Sequence, residues 1–461
     1  MKNRKYIIPL FLIFVLWLPS AFSEQTKEKN EKEKYVKEPV FDASVYIYES
    51  GDRSKESVIF VHGLGDDASK IWSKLIPVLE KKYHVITFDL PGFGRSQKDN
   101  KLYSPKNYAR FVKWVADKYA DGKIYIIGHS MGGAISLYFT WMYPETVRRL
   151  VLVDAAGILH RAAFTKNIAK VEIKEIKDLP NPLDLFNYLI KTTIEKVDDK
   201  VMPRDISLVL ENDLLRKKVL GGEPQKIASM ALIQTDFCEQ AYNIKAPVSI
   251  IWGGIDPIAP LRTGKMLSFI IPGTTLNVMQ GLGHSPMIDD PDKFSRLVSD
   301  VLKNDAEDKN QGAMEAVTST VSSGPSTFEK RKDIIISGNY ESIRLIDCKN
   351  VVIADANTGR IEIRNSWVGL ENVHIKSNDT GLTLIDSVIS VTGAVITADT
   401  AISTSNGKID LAGVRLECGK KAVSSVSAYK STIVFSICKI KSPGRNGYIH
   451  DIVSLGEDES L

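Results

Sequence analysis

The sequence predicts an α/β protein in which a doubly wound, mostly parallel sheet is followed by an all-β unit. Two observations lead to this prediction. Between residues 39 and 302, short runs of Val, Ile and Leu alternate with longer amphipathic segments. After residue 334, short Ile and Val runs recur about every 20 residues without a helical period. At 461 residues the chain is too long for one ordinary core, so we expect at least two domains.

The amino terminus has the pattern of a secretory signal peptide. Basic residues come first, an apolar run covers residues 6–18, and the small residues Ala21 and Ser23 follow. We therefore expect residues 1–23 to be cleaved and the protein to be exported to the periplasm or the medium. An uncleaved segment would instead tether it to the membrane. Residues 24–38 are nearly all polar or charged, which predicts a solvated linker.

Six continuously apolar runs predict the parallel strands of the first domain, because a sheet covered by helices on both faces buries both sides of each strand. The runs are residues 57–61, 84–88, 123–127, 149–153, 247–252 and 274–279. Residues 107–119 and 131–143 are long enough to be crossover helices. From residue 157 to 245 no strong strand occurs and prolines interrupt helical patterns, which predicts a helical cap.

The residues Ile-Ile-Gly-His-Ser-Met-Gly-Gly at 126–133 predict a nucleophilic serine. A buried strand runs into Gly-x-Ser-x-Gly and then into a helix, a context that exposes the serine on a tight turn. Gly128 and Gly132 stand where a Cβ would crowd that turn. Ser130 is therefore the predicted nucleophile.

A serine hydroxyl needs a base to remove its proton and an acid to orient that base. His284 follows the last predicted strand and is the expected base. Asp256, in the loop after the strand at 247–252, is the expected acid, with Asp154 as the alternative. The backbone N–H groups of Leu64 and Met131 are the expected oxyanion-hole donors, unless the glycines beside Leu64 only permit a tight turn.

Together these features resemble the α/β-hydrolase superfamily over residues 39–302, including Asp-Leu-Pro-Gly-Phe-Gly-Arg-Ser at 89–96. The resemblance implies a carboxylesterase-like or lipase-like enzyme that cleaves a small-molecule or lipid ester without a cofactor or metal. Hydrolysis of a carbon–carbon bond or a thioester, and cofactor-free peroxidase activity, are alternatives on the same fold. Ser130 argues against the relatives that use an Asp nucleophile. The cap would choose the substrate.

A polar stretch at residues 303–333 predicts a second linker, and residues 334–461 predict a β-helix, with a β-sandwich as the alternative. Two sets of apolar residues give the repeat. They are Ile361, Leu382, Ile402 and Val423, and Val351, Val373, Val395, Val414 and Ile437. Cys418 and Cys438 lie about one coil apart, so they either stack or bridge, or are simply buried small residues.

The region after residue 333 resembles right-handed parallel β-helix domains. That resemblance implies a polysaccharide, cell-surface or protein partner for it. A purely binding protein with an inactive hydrolase fold is the rival hypothesis. The formal charge of +4 falls close to zero without the signal peptide, and no concentrated basic stripe is present, which argues against nucleic-acid binding.

Overall fold

The structure, a computed structural model, describes residues 32–65, 67–160, 162–163, 206–303, 322–427 and 429–461. The predicted signal peptide and residues 164–205 of the predicted cap lie outside these ranges. Within them, no helix combines the length and the apolar character needed to cross a membrane.

An eight-stranded sheet forms the centre of the first unit. Its strands are β1 Glu33–Glu38, β2 Ala43–Ser50, β3 Ser57–Val61, β4 His84–Phe88, β5 Ile124–His129, β6 Val147–Val153, β7 Val248–Gly253 and β8 Thr275–Met279. They lie in the order β1-β2-β4-β3-β5-β6-β7-β8. β1 pairs antiparallel with β2 and β2 with β4, whereas β3 to β8 are all parallel. The predicted fold class is therefore confirmed, with all six predicted strands present.

Helices cover both faces of this sheet. They are α1 Ile76–Leu79, α2 Pro105–Tyr119, α3 Met131–Met142, α4 Ser207–Glu211, α5 Asp213–Leu220, α6 Pro224–Gln234, α7 Cys238–Tyr242, α8 Leu261–Ile270, α9 Pro286–Asp289 and α10 Pro291–Lys303. Along β3, Ile59 and Val61 pack with α2 and α3, whereas Val58 and Phe60 pack with α1 and α10. Alternate side chains thus enter two separate cores, which is why these strands are apolar throughout.

Residues Glu33–Glu38, predicted to be part of the first linker, form edge strand β1 instead. The polar composition of this segment suggested a linker, but an edge strand needs apolar side chains on only one of its faces. Val36 packs against the core and the Tyr35 ring contacts Tyr46 edge to face. Glu38 is fully buried, and its carboxylate accepts hydrogen bonds from the N–H groups of the following turn, including that of Phe41.

The second unit, here called the β domain, comprises residues 322–461. Its strands are β9 Ser322–Ser323, β10 Ser326–Glu329, β11 Ile335–Tyr340, β12 Ile343–Ile346, β13 Val351–Thr358, β14 Ile361–Arg364, β15 Trp367–Lys376, β16 Thr380–Ile385, β17 Val388–Ser405, β18 Lys408–Ser425, β19 Ser431–Ser436, β20 Cys438–Ser442, β21 Arg445–Ile449 and β22 Ile452–Leu455. The strands from β9 to β20 pair with one another in parallel. Strand β21 pairs antiparallel with β20, and β22 pairs antiparallel with β19. This is the arrangement of a β-helix-like domain rather than of a sandwich. Its first strands lie within the predicted second linker.

The strand register confirms one predicted set of stacked residues and corrects the other. Ile361 pairs with Leu382, Leu382 with Ile402, and Ile402 with Val423. In the second set, however, Val373 pairs with Ala394, which in turn pairs with Val414. The predicted column is wrong at Val395, which lies one residue out of register because both neighbouring residues are apolar. It is also wrong at Val351, which pairs with Val368, whereas Ala356 pairs with Val373. Successive coils differ in length, so a constant repeat does not give the register.

Corners of the coils are built from Asn and Asp residues with positive φ, a conformation these two residues tolerate better than most. The Asn365 side chain donates to Asp347 one coil earlier at 2.6 Å, and Asn406 donates to Asp386 at 2.8 Å. Such ladders satisfy polar side chains at positions where the chain must turn. The carboxylates of Asp347 and Asp386 therefore serve the turns.

Of the alternatives left open for Cys418 and Cys438, stacking or a bridge is not found, and all four cysteines are free. The register explains this result, since Arg415 pairs with Lys439 and Cys438 therefore falls opposite Val414 rather than Cys418. The Cys438 thiol instead lies 3.6 Å from the Leu411 carbonyl oxygen.

The β domain is docked on helix α8. Arg262 donates to the Asp410 carboxylate at 2.7 Å, to Thr392 and to the Val391 carbonyl. Gly413 has φ of 65°, and a Cβ there would lie 2.6 Å from Cγ of Met266. Helix α8 directly follows the loop after β7, and that loop carries Asp256. The β domain therefore contacts the helix next to the Asp256 loop.

Candidate active site

Ser130 occupies a strained turn between β5 and α3. Its φ of 55° and ψ of −122° are unusual for a residue with a side chain. The turn is tight enough that a Cβ at Gly128 would lie 2.3 Å from the Gly132 carbonyl oxygen. A Cβ at Gly132 would lie 2.2 Å from the Val61 carbonyl oxygen. Both glycines are therefore required by close backbone approach, as the motif predicted.

His284 reaches Ser130 from the loop that follows β8. Its Nε2 atom lies 3.0 Å from Ser130 Oγ, so the hydroxyl can donate to it. The loops after β7 and β8 meet closely, since a Cβ at Gly253 would lie 1.9 Å from the Gly283 carbonyl oxygen. Both side chains are almost fully buried. This geometry is that of a hydroxyl paired with its base.

Asp256 orients His284 from the opposite side of the ring. Oδ2 accepts a 2.7 Å hydrogen bond from Nδ1–H of His284. Oδ1 accepts from the N–H groups of Ile258 at 2.8 Å and Ala259 at 3.0 Å. With Nδ1 as donor, Nε2 is left as the acceptor that a general base needs. The three predicted catalytic side chains are thus in one hydrogen-bonded chain.

Asp154, the alternative acid, has another set of contacts. It follows β6 with φ of 44°, is fully buried, and accepts from Gly253 N–H at 2.7 Å. Burial and the charge of Asp256 raise the pKa of Asp154 well above its usual range. It is Asp256, then, that makes the direct hydrogen bond to the His284 ring.

The predicted oxyanion loop lies against Ser130. A Cβ at Gly63 would be 2.7 Å from that of Ser130, which places the Leu64 segment beside the nucleophile. Met131 is the first residue of α3, where a backbone N–H has no acceptor within its own helix. Both predicted donors are therefore next to Ser130 in the chain or in space.

Two histidines outside the predicted triad are close supports of the site. His62 donates from Nδ1 to the Gly63 carbonyl at 2.7 Å and accepts at Nε2 from Leu90 N–H at 2.8 Å, which fixes the oxyanion loop. His129 donates from Nε2 to the His284 carbonyl oxygen at 2.7 Å. Burial lowers the pKa of His129 to about 3, and also lowers that of His62, so both stay neutral. In the sequence, His62 directly precedes the oxyanion loop and His129 directly precedes Ser130. This adjacency is the signal that could have identified both residues.

The Asp89–Ser96 turn has a structural role. Arg95 donates to Asp89 through Nε at 2.8 Å, and Ser69 also donates to this carboxylate. Burial opposes the charge of Asp89, but these hydrogen bonds outweigh it and lower its pKa. The turn also supplies the Leu90 N–H that holds His62.

Two groups of side chains in the described ranges have the composition of a metal site. One is Asp154, Asp256 and His284, whose atoms already serve the hydrogen bonds above. The other is Asp236, Cys238 and His450, between α7 and the β domain. There, His450 Nδ1 accepts from Ile437 N–H at 3.3 Å and the Cys238 thiol points to the Ile449 carbonyl at 3.9 Å. Each group therefore has partners within the protein.

Comparison with known proteins matches the family model of the α/β hydrolase fold to residues 56–188. YugF, an uncharacterised hydrolase of Bacillus subtilis, is 27% identical over 272 residues, or 56% of this chain and 94% of its own. A 2-hydroxy-6-oxononadienedioate/2-hydroxy-6-oxononatrienedioate hydrolase of Pseudomonas putida is 28% identical over 60% of this chain and 98% of its own. The meta-cleavage product hydrolase structure from Pseudomonas fluorescens covers 59% of this chain and 97% of its own, at 26% identity and a TM-score of 0.44. The amino-terminal unit of this chain has the α/β hydrolase fold.

Proposed function

We propose that this chain is an exported serine hydrolase that cleaves a carboxylic ester or a related acyl substrate through an acyl-enzyme intermediate. The observation that carries the proposal is the continuous hydrogen-bonded chain from Ser130 through His284 to Asp256. A serine buried for structural reasons alone would not require the strained backbone that Ser130 adopts.

In the proposed first step, Ser130 Oγ attacks the acyl carbon while His284 Nε2 takes the hydroxyl proton. Asp256 stabilises the imidazolium that results. Collapse of the tetrahedral intermediate expels the alcohol, to which His284 returns the proton, and leaves the acyl group on Ser130. Water, activated by the same imidazole, then releases the acid and restores the serine.

Negative charge develops on the attacked oxygen in both halves of this reaction. We assign its stabilisation to the backbone N–H groups of Leu64 and Met131. Two fixed donors in a site shielded from water can supply about 3 kcal/mol or more of transition-state stabilisation each. The His62 hydrogen bonds that fix the Gly63 carbonyl would keep the first donor in place.

Carbon–carbon bond hydrolysis is the second candidate, favoured by the name of the Pseudomonas putida relative. The same serine, histidine and acid could serve either reaction, and substrate choice would rest with the cap. Export is proposed from the amino-terminal sequence alone. A polymer, cell-surface or protein partner for the β domain is likewise proposed from its repeat pattern.

Kinetics with p-nitrophenyl esters of increasing acyl length test the proposed reaction. We expect a burst of p-nitrophenol equal to the enzyme concentration whenever deacylation is slow. Ser130→Ala should abolish turnover, whereas Ser73→Ala, which removes an exposed hydroxyl, should not. Retained turnover in Ser130→Ala would rule the mechanism out.

A parallel assay with a 2-hydroxy-6-oxo-dienoate separates the two candidate reactions. If the enzyme is an esterase, its kcat/KM should favour at least one ester over the dienoate. Faster cleavage of the dienoate than of every ester, still dependent on Ser130, would instead establish the carbon–carbon hydrolase.

A further inference from the structure

Two carboxyl groups lie side by side behind His284. Asp154 directly follows β6, and Asp256 lies in the loop after β7, which is the neighbouring strand of the sheet. A carboxyl oxygen of each and a ring nitrogen of His284 all lie within 4.8 Å of one another. Two buried carboxylates at this separation repel each other strongly, so they do not both carry a charge at neutral pH.

The hydrogen bonds identify which carboxyl is charged. Asp256 accepts from His284, Ile258 and Ala259, so three donors stabilise its negative charge. Asp154 accepts from Gly253 N–H alone, and among the described residues its buried Oδ2 atom has no donor. An ionised carboxylate with a buried, unpartnered oxygen is costly, whereas a protonated one needs only an acceptor.

Among the described residues, the groups that face this pair give Asp154 no compensating cation. Asp256 and Asp289 both add negative charge near it. His284 is engaged by Asp256 and Ser130, and the neighbouring His129 ring stays neutral. The Asp256 carboxylate is a neighbouring acceptor for an Asp154 hydroxyl.

We propose that Asp154 is a positioning residue that remains protonated and donates a hydrogen bond from its carboxylic acid to Asp256. This inference rests on the proposed function, because its consequence is the orientation of the acid that serves His284. The strongly raised pKa of Asp154, caused by burial and then by the Asp256 charge, agrees with this assignment.

The hydrogen bond would hold Asp256 from the β6 side, in addition to the backbone donors of its own loop. It would also draw part of the negative charge away from the His284 ring. Its main consequence is a fixed position of the Asp256 carboxylate beside Nδ1 of His284.

Two variants test the proposal. Asp154→Asn keeps a donor for Asp256 and an acceptor for Gly253 N–H, and Asn tolerates the φ of 44°. Asp154→Gly suits the same backbone but removes both. The readout is kcat/KM for a p-nitrophenyl ester at pH 7, with the far-ultraviolet circular dichroism of each variant as the folding control.

We expect Asp154→Asn to stay within about threefold of the native kcat/KM, because Asn supplies the same donor and acceptor. Asp154→Gly should lose about tenfold or more, as supports of a catalytic group do. If Asp154→Asn loses as much as Asp154→Gly, an ionised Asp154 is required and the proposal is wrong. An Asp154→Gly variant as active as the native protein would also overturn it.

An infrared measurement keeps this result separate from the proposed function. The native protein minus Asp154→Asn difference spectrum at pH 7 should show the carbonyl band of a protonated carboxylic acid. A difference confined to carboxylate bands would contradict the proposal. The spectrum needs no substrate, so it decides the protonation of Asp154 even if Ser130 proves unreactive towards esters.

Discussion

Nδ1 of His284 lies 2.7 Å from Oδ2 of Asp256, and the same carboxylate is held from its own loop by the N–H groups of Ile258 and Ala259. The acid is therefore fixed before substrate arrives. Asp256→Asn should leave the fold intact but favour the wrong tautomer of His284, with kcat falling about 10⁴-fold. Steady-state kinetics at pH 7 measure this loss. A fall of less than about tenfold would show that another residue orients the base.

The elbow glycines should be as sensitive as the catalytic side chains. A methyl group at Gly128 would meet the Gly132 carbonyl oxygen at 2.3 Å, and only a backbone shift at Ser130 could relieve that contact. We expect Gly128→Ala to lower kcat/KM by about 100-fold or more, as small displacements of reacting groups do. Gly324→Ala is the control, since a Cβ there meets nothing within 4 Å. Equal activity of the two variants would contradict the geometry.

Acid should destabilise the fold partly through His129. Its pKa falls from 6.5 to about 3 on burial, so its contribution to stability is complete above about pH 6.5 and is lost as pH falls towards 3. This one group makes unfolding easier by up to about 1.4 kcal/mol per pH unit in that window. His129→Gln keeps a donor for the His284 carbonyl but cannot take up the proton.

Urea denaturation of native protein and His129→Gln at pH 7 and pH 5 measures the contribution of His129 to the pH dependence of the free energy of unfolding. The free energy of unfolding should fall less for the variant between the two pH values. Equal losses would mean that His129 is not held neutral in the native state.

The Arg262–Asp410 pair should matter more than the neighbouring Lys265–Glu371 pair. Arg262 and Asp410 side chains are each 16% exposed, whereas Lys265 and Glu371 are 41% and 40% exposed. Arg262→Ala would leave a mostly buried carboxylate without its partner, at a cost of about 3 kcal/mol. Lys265→Ala, the matched control, should cost less than about 1 kcal/mol. Urea denaturation gives both values, and equal small effects would argue against a rigid interface.

Cutting the chain after Leu302 would expose the face of α8 that packs on the β domain, including Met266 and Phe269. We therefore expect the truncated protein to aggregate or to unfold at a lower temperature. Size-exclusion chromatography and thermal unfolding are the measurements. A truncated monomer with native thermal stability would show that the β domain is a dispensable attachment.

Much of the hydrolase unit could be predicted because its signals are local. Continuous apolar runs gave the six parallel strands, and the spacing around Ser130 gave the turn. Asp256 and His284 follow Ser130 in the chain, each in a loop after a predicted strand. The parallel sheet brings these two loops together. By contrast, the sequence did not predict β1. Glu33–Glu38 forms a strand because it pairs with β2, and composition does not show which segments pair.

Nonlocal contacts explain the remaining gaps. That Asp154 would lie against Asp256 depends on β6 and β7 being neighbours, although almost 100 residues separate them. The register of the β domain could be followed where one apolar residue marks each coil. It was lost where two adjacent residues, such as Ala394 and Val395, were equally apolar.

Covalent labelling tests the central claim most directly. The native protein is treated with a fluorophosphonate, its intact mass is measured, and the modified peptide is sequenced by tandem mass spectrometry. We expect one adduct per chain, on Ser130, lost in Ser130→Ala and much slowed in His284→Ala. No adduct on the native protein, or an adduct that persists in Ser130→Ala, would contradict it.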